Sequence, residues 1–267
     1  MFGKTKKLKQ TISELQFMLS EKNKELEQLK KSVSIQNVLP TGYKLEGNNN
    51  KIIIVENGHE RELKKDEKIP GLNLIINGNN NYVKIKLPLE AINSSIEIGN
   101  DNVHVEIGPS RHFVDVFIHC SFSDGQKCVI GPHTTISGAN IILDECSSCF
   151  IGEDCKLSNS IRIWGSDGHA IMDKDTKEFL NKPSHPVIIG NKCWIGEAVR
   201  IQKGAIIPDN TIVGAGSIVT KKFTEENTII AGNPAKIIKQ NVIWSRHSIY
   251  SLTVQNPSVY EEIKRDS

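Results

Sequence analysis

The stretch Ile189-Gly-Asn-Lys-Cys-Trp-Ile195-Gly-Glu-Ala-Val-Arg-Ile201-Gln-Lys-Gly-Ala-Ile-Ile207-Pro-Asp-Asn-Thr-Ile-Val213-Gly-Ala-Gly-Ser-Ile-Val219 decides the fold. An aliphatic residue recurs every six positions, at Ile189, Ile195, Ile201, Ile207, Val213 and Val219. Gly follows it at 190, 196 and 214, and a small residue stands four places on at Cys193, Val199, Ala205, Thr211 and Ser217. A period of six fits neither a helix, at about 3.6 residues per turn, nor an alternating strand, at about 2. It fits a short strand and a tight turn, repeated so that every sixth side chain points inward. The same register recurs upstream at Ile130, Ile136 and Ile142, and again at Ile151, Leu157 and Ile163.

Residues 130–219 thus resemble the hexapeptide repeat of the left-handed parallel β-helix, in which three hexapeptides close one triangular coil of 18 residues. The resemblance implies an all-β solenoid whose crossovers are an exception to the usual right-handed rule. Before it, Gly47-Asn-Asn-Asn50, Gly78-Asn-Asn-Asn81 and Gly99-Asn-Asp-Asn102 each precede alternating aliphatics, as in Ile52/Ile54, Val83/Ile85 and Val103/Val105. Gly and Asn tolerate positive φ, so each cluster reads as a turn entering a strand, and the set as irregular coils stacked on the regular ones. Cys146, Cys155 and Cys193 fall at the small-residue position, and Cys128 and Cys146 stand 18 apart, one coil. All are therefore expected as small buried core residues, with no metal site.

Residues 4–36 differ in composition from the rest: no Pro, no Gly, and apolar residues at Leu8, Ile12, Leu15, Leu19, Leu26, Leu29 and Val33, with Lys22 at the missing seam position. That spacing predicts a short coiled coil of about four heptads. The expected organisation is a coiled-coil helix over 1–39, irregular solenoid coils over 40–125, a left-handed β-helix over 126–235 interrupted by a loop at 164–186, and a cap or tail over 236–267.

The 267 residues carry 33 basic and 31 acidic groups, a net charge of +2, which gives no electrostatic reason to expect nucleic acid as partner. No apolar run approaches the ~20 residues of a membrane helix, and no apolar stretch follows the N-terminal lysines as in a secretory signal. The expectation is a cytoplasmic protein. Residues 4–36 hold 8 lysines against 4 glutamates, which admits peripheral attachment at the inner membrane face or docking onto a complex.

The six-residue phase breaks once in its best region, between Ile163 and Val187, at Trp164-Gly-Ser-Asp-Gly-His169 and a polar continuation to His185-Pro186. A long loop in a regular solenoid is usually functional. This loop, together with Cys193-Trp194-Ile195-Gly196, Gly214-Ala-Gly-Ser-Ile-Val-Thr-Lys221 and Ala231-Gly-Asn-Pro-Ala235, resembles the acetyl-CoA-dependent O-acetyltransferases of the hexapeptide class. The 25-residue interval from His169 to Trp194 is most like that of the capsular polysaccharide and polysialic acid O-acetyltransferases. Acetyl transfer from a thioester to an alcohol needs a base for the hydroxyl proton and donors for the developing oxyanion. Histidine suits the first task, with an ordinary pKa of about 6.5.

The resemblance implies that His169 is the base and that Trp194 flanks the acetyl and pantetheine end. It implies Ala215, Gly216 and Thr220 beside the acetyl-CoA, Lys221, Lys222 and Lys239 for its phosphates, and His185, Trp164 and Asp167 around the acceptor. Asp167 is also a candidate to orient His169. The family's lysine precedes an acidic residue, whereas here Lys221 precedes Lys222, so the choice of phosphate contact stays open. The family places acetyl-CoA between neighbouring subunits, which implies a homotrimer. The expected reaction is acetylation of a sugar hydroxyl in a capsular or surface polysaccharide. The competing readings are N- or O-acetylation of a small acceptor (an amino-sugar nucleotide or an antibiotic) and a non-catalytic β-solenoid scaffold. A zinc carbonic anhydrase on the same fold would need a third histidine beside His169 and His185 at a coil spacing, and none is evident.

Overall fold

A computed structural model describes Lys22 and residues 42–181 and 186–265. The coiled coil expected over 4–36 and the acceptor-site candidate His185 lie outside the described residues. The fold below belongs to the compact unit Gly42–Ser267.

Three eight-stranded sheets form the three walls of a solenoid, and successive strands of the chain visit them in turn. The first sheet runs from Lys44–Glu46 through Leu72–Asn77, Ser94–Ile98, Val116–Ser121, Ala139–Asp144, Ile161–Trp164 and Arg200–Ile201 to Ile218–Val219. Neighbours within each wall pair in parallel, as Ile141 with Ile163 and Ile201 with Val219. Both exceptions are terminal: His59–Glu62 runs antiparallel to Lys51–Glu56, and Ala235–Lys239 antiparallel to Ile229–Gly232. These two hairpins cover edges that a bare solenoid would leave open to another strand.

The core is one stack of aliphatic side chains along the axis. Leu74, Ile96, Ile118, Ile141, Ile163, Ile201 and Val219 sit fully buried on the first wall, one per coil. Each such side chain contributes roughly 1.5–3 kcal/mol by leaving water. The small-residue positions Cys193, Val199, Ala205, Thr211 and Ser217 are all buried, because the corners leave room for little else.

Two sequence expectations fail upstream of the loop. Ile142 is only half-buried and points outward, while Ile141 and Leu143 are buried. Cys146 is exposed, and the residue aligned with Cys128 is Cys149, itself buried. The physical cause is strand length. Ala139–Asp144 has six residues, so period-two alternation runs through three inward side chains before the corner and displaces the six-residue phase. Only the coils after the loop keep the short form, as between Asn191 and Asp209, 18 residues apart.

The corner between the first and second walls is built by the Gly-Asn clusters. Each cluster donates to the next coil: the Asn48 backbone N–H donates to Asn79 Oδ1 at 2.9 Å, and the Asn79 N–H to Asp101 Oδ1 at 2.7 Å. Asn49, Asn80 and Asn102 hold positive φ there, a conformation asparagine tolerates. A Cβ on Gly78 would lie 2.2 Å from the Asn100 carbonyl oxygen, so that position is closed to other residues.

Candidate active site

The inserted loop leaves the solenoid at this same corner, after Trp164, and returns at Val187. Gly165 is needed for the departure, since a Cβ there would stand 2.1 Å from Ser147 Oγ. Gly168 takes φ +72, which turns the chain immediately before His169. Beyond His169 the loop folds on itself as a hairpin: Met172 bridges Phe179, the Leu180 N–H donates to the Ile171 carbonyl at 2.8 Å, and Asp173 Oδ1 accepts from Asp175 and Thr176 at the tip.

One side chain ties this loop together. Asn181 Nδ2 donates to the His169 carbonyl oxygen at 2.8 Å and to Asp167 Oδ2 at 2.8 Å, and Asn181 Oδ1 accepts the Ile171 N–H at 2.7 Å. Lys203, from the coil that follows the loop, pairs with the Asp167 carboxylate and donates to the Asn181 carbonyl at 3.4 Å. Partial burial works to raise the Asp167 pKa, but the Lys203 ammonium and the Asn181 amide outweigh it and hold the carboxyl below its ordinary value. Asp167 therefore meets His169 through Asn181, not by a bond to the ring. Asn181 and Lys203 escaped the sequence reading. Asn181 lay in the loop without a motif to mark it, and Lys203 is 36 residues from the carboxylate it pairs with.

His169 is exposed and lines a groove of about 360 Å³ together with Phe122, Ser123, Glu145, Cys146, Ala170, Phe179 and Asn181. The other candidates fall elsewhere. Trp164 stands outward at the end of its first-wall strand, 45% exposed. Thr220, Lys221 and Lys222 are exposed where the last coil turns from the first wall, with the Lys221 ammonium over the Phe223 ring at 5.1 Å. Ala215 and Gly216 form the opposite corner of the first wall, and a Cβ on Gly216 would meet nothing within 4 Å. Trp194 and Lys239 belong to the third wall. Within one chain, then, His169 and Trp194 stand on different parts of the triangle: His169 at the corner of walls one and two, Trp194 at the start of wall three.

Trp194 also has a neighbour that the repeat did not foretell. The C-terminal segment does more than close the last coil. Past Ala235–Lys239 it runs back along the third wall, where the Trp244 ring meets Trp194 at 5.9 Å between centroids and its Nε1 donates to the Lys192 carbonyl at 2.6 Å. Arg246 reaches further, pairing with Asp154 at 2.9 Å and donating to the His133 and Cys155 carbonyls at 3.1 and 2.9 Å.

Among the described residues no group of three or more His, Cys, Asp or Glu side chains could hold a metal ion, and no helix is long and apolar enough to cross a membrane.

No family model matches the chain. It is 34% identical over 191 residues to the polysialic acid O-acetyltransferase of Neisseria meningitidis, a match spanning 72% of this chain and 87% of that one. The chain belongs to the polysialic acid O-acetyltransferase family. With the family's Escherichia coli O1:K1 / APEC member it shares 38% identity over 123 residues, 46% of this chain and 39% of that longer protein. Two solved structures of the family superpose on it. The polySia-specific acetyltransferase NeuO does so with a TM-score of 0.66 and 29% identity over 84% of this chain and 98% of that one, and OatWY with 0.62 and 30% over 82% and 99%. The solenoid is the left-handed β-helix expected from the hexapeptide register, and the family is one of acyltransferases.

Proposed function

We propose that the protein transfers acetyl from acetyl-CoA to a sugar hydroxyl of a capsular polysaccharide. The observation that carries this reading is His169, an exposed imidazole on a loop pinned by Asn181, Asp167 and Lys203, facing a groove open to a large acceptor. Polysialic acid, the polymer in the relatives' names, is the first acceptor to test.

In this reading the His169 ring takes the hydroxyl proton as the acceptor oxygen attacks the acetyl carbonyl carbon. The carbon–sulfur bond then breaks, the thiolate of CoA leaves, and the proton passes from the imidazolium to that sulfur. No acetyl-enzyme forms. The chain offers features that suit acetyl-CoA: the open backbone at Ala215 and Gly216, exposed Thr220, and Lys221, Lys222 and Lys239 as cations for phosphate. Trp194 would supply a flat apolar face to the pantetheine end. No metal takes part in this reading.

The separation of His169 from Trp194 within one chain supports a homotrimer in which one subunit's loop meets its neighbour's third wall. The loop hairpin supports it too, since Ile171, Met172 and Leu180 are all more than half exposed. A cytoplasmic site of action, with residues 1–39 as an assembly or docking element, completes the proposal. The test is thiol release from acetyl-CoA with polysialic acid and a panel of other capsular polysaccharides, wild type beside His169→Ala.

A further inference from the structure

The groove beside His169 contains an aromatic ring that the core does not use. Phe122 stands at the corner between Val116–Ser121 and Lys127–Ile130, with φ +62 and its side chain 81% exposed. A bulky aromatic in the left-handed region is strained, and an exposed ring gains nothing from the core. The same corner takes this conformation in the preceding coils at Asn49, Asn80 and Asn102, and in the next coil at Glu145 and Cys146, so the corner sets the backbone and the choice of a phenylalanine there is what stands out. An exposed aromatic ring in the groove of the catalytic candidate, with no core to pack into, points to use by a ligand.

The rest of the lining says which ligand. Phe122, Phe179 and Ala170 give apolar surface, while Ser123, Glu145 and Asn181 give hydrogen-bonding groups around it. That mixture matches a pyranose ring, whose axial C–H bonds form an apolar, weakly positive face and whose rim carries hydroxyls. Among the described residues no Lys or Arg lines the groove, and the Glu145 carboxylate does. An acidic group of the acceptor would be repelled there, whereas a hydroxyl would donate to it.

We propose that this groove is the acceptor subsite. One sugar unit lies flat on Phe122, its hydroxyl-bearing, uncharged side is turned to Glu145 and His169, and any carboxylate of the polymer points out of the groove. The inference rests on the acetyl-transfer reading above and deepens it by naming how the acceptor is held.

The structure also supplies a reporter. Of the six cysteines, five are buried and Cys146 alone is exposed, and it lines this groove, its N–H bonded to Ser123 Oγ. The experiment has two arms on the full-length protein. In the first, acceptor and acetyl-CoA KM are measured for wild type, Phe122→Asn and Phe122→Trp with polysialic acid. Phe122→Asn should raise the acceptor KM about tenfold or more, leave the acetyl-CoA KM unchanged and not lower Tm, because asparagine relieves the backbone; Phe122→Trp should retain acceptor affinity. A merely structural Phe122 would give the opposite pattern in Tm. In the second arm, alkylation of Cys146 by N-ethylmaleimide is timed by mass spectrometry, with and without polysialic acid, at fixed acetyl-CoA. The polymer should slow it several-fold in wild type and far less in Phe122→Asn.

Wild-type turnover with an unchanged KM in Phe122→Asn and unprotected Cys146 overturns the subsite and leaves the acetyl-transfer reading standing. Absence of turnover by wild type with polysialic acid and with every other polysaccharide overturns both.

Discussion

Asn181 holds the backbone of His169: its Nδ2 donates to the His169 carbonyl at 2.8 Å while its Oδ1 accepts the Ile171 N–H at 2.7 Å. One amide thus spans the catalytic candidate and the base of its hairpin. Through Asp167 it is linked to Lys203 on the next coil, so the rigid solenoid fixes a loop that would otherwise move freely. General bases lose efficiency steeply when misplaced by even an ångström.

Asn181→Ala should lower kcat about 10- to 100-fold and leave the acetyl-CoA KM nearly unchanged, because the side chain touches the backbone of the proposed base and no candidate CoA residue. Asn181→Asp should recover little, since a carboxylate cannot donate to the His169 carbonyl and repels Asp167. Steady-state kinetics, with Tm measured alongside, checks both.

Docking of the loop should weaken in acid. The Asp167 carboxyl, held down by Lys203 and Asn181 against its partial burial, binds its proton less readily folded than unfolded. Its contribution is complete above the ordinary value of 3.8 and is lost as pH falls below that towards the depressed folded value. The Tm gap between wild type and Asp167→Asn should therefore shrink between about pH 5 and pH 3. A gap that stayed constant over that range would dismiss the pairing.

Thiol titration should find one reactive cysteine per native chain and six after denaturation. Burial pushes the Cys120 and Cys149 thiols up to about 12, and Cys128 higher than its usual range, so they stay protonated and inaccessible near neutrality. Two or more fast equivalents in the native protein would place a second cysteine at the surface.

Gly165→Ala should destabilise the protein by about 1–3 kcal/mol, since its Cβ would press on Ser147 from the point where the loop leaves the coil. Ile195→Ala, which empties a fully buried place in the stack, should cost about 2–5 kcal/mol. Chemical denaturation resolves the two, and only the first is expected to lower activity in the folded protein.

Much of the fold was legible because a parallel solenoid repeats one local problem. Each coil after the loop must place one aliphatic inward every six residues, and Ile189 to Val219 do so without a gap. Upstream, longer strands interpose extra inward residues, and the six-residue phase then misreads Ile142 and Cys146; period-two alternation in Ala139–Asp144 was the signal that corrects it. The loop and His169 were visible as an interruption. Asn181, Lys203, Phe122 and Trp244 were not, because their meaning comes from contacts across coils or from a backbone conformation, and neither leaves a spacing in the sequence.

The central claim, that His169 is the base of an acetyl transfer to polysaccharide, is tested most directly by acetyl-CoA turnover with polysialic acid and the polysaccharide panel, comparing wild type with His169→Ala. The expected result is polysaccharide-dependent thiol release that falls about 10²- to 10⁴-fold in the variant, with its fold and acetyl-CoA binding intact. Equal turnover in the two proteins would contradict it.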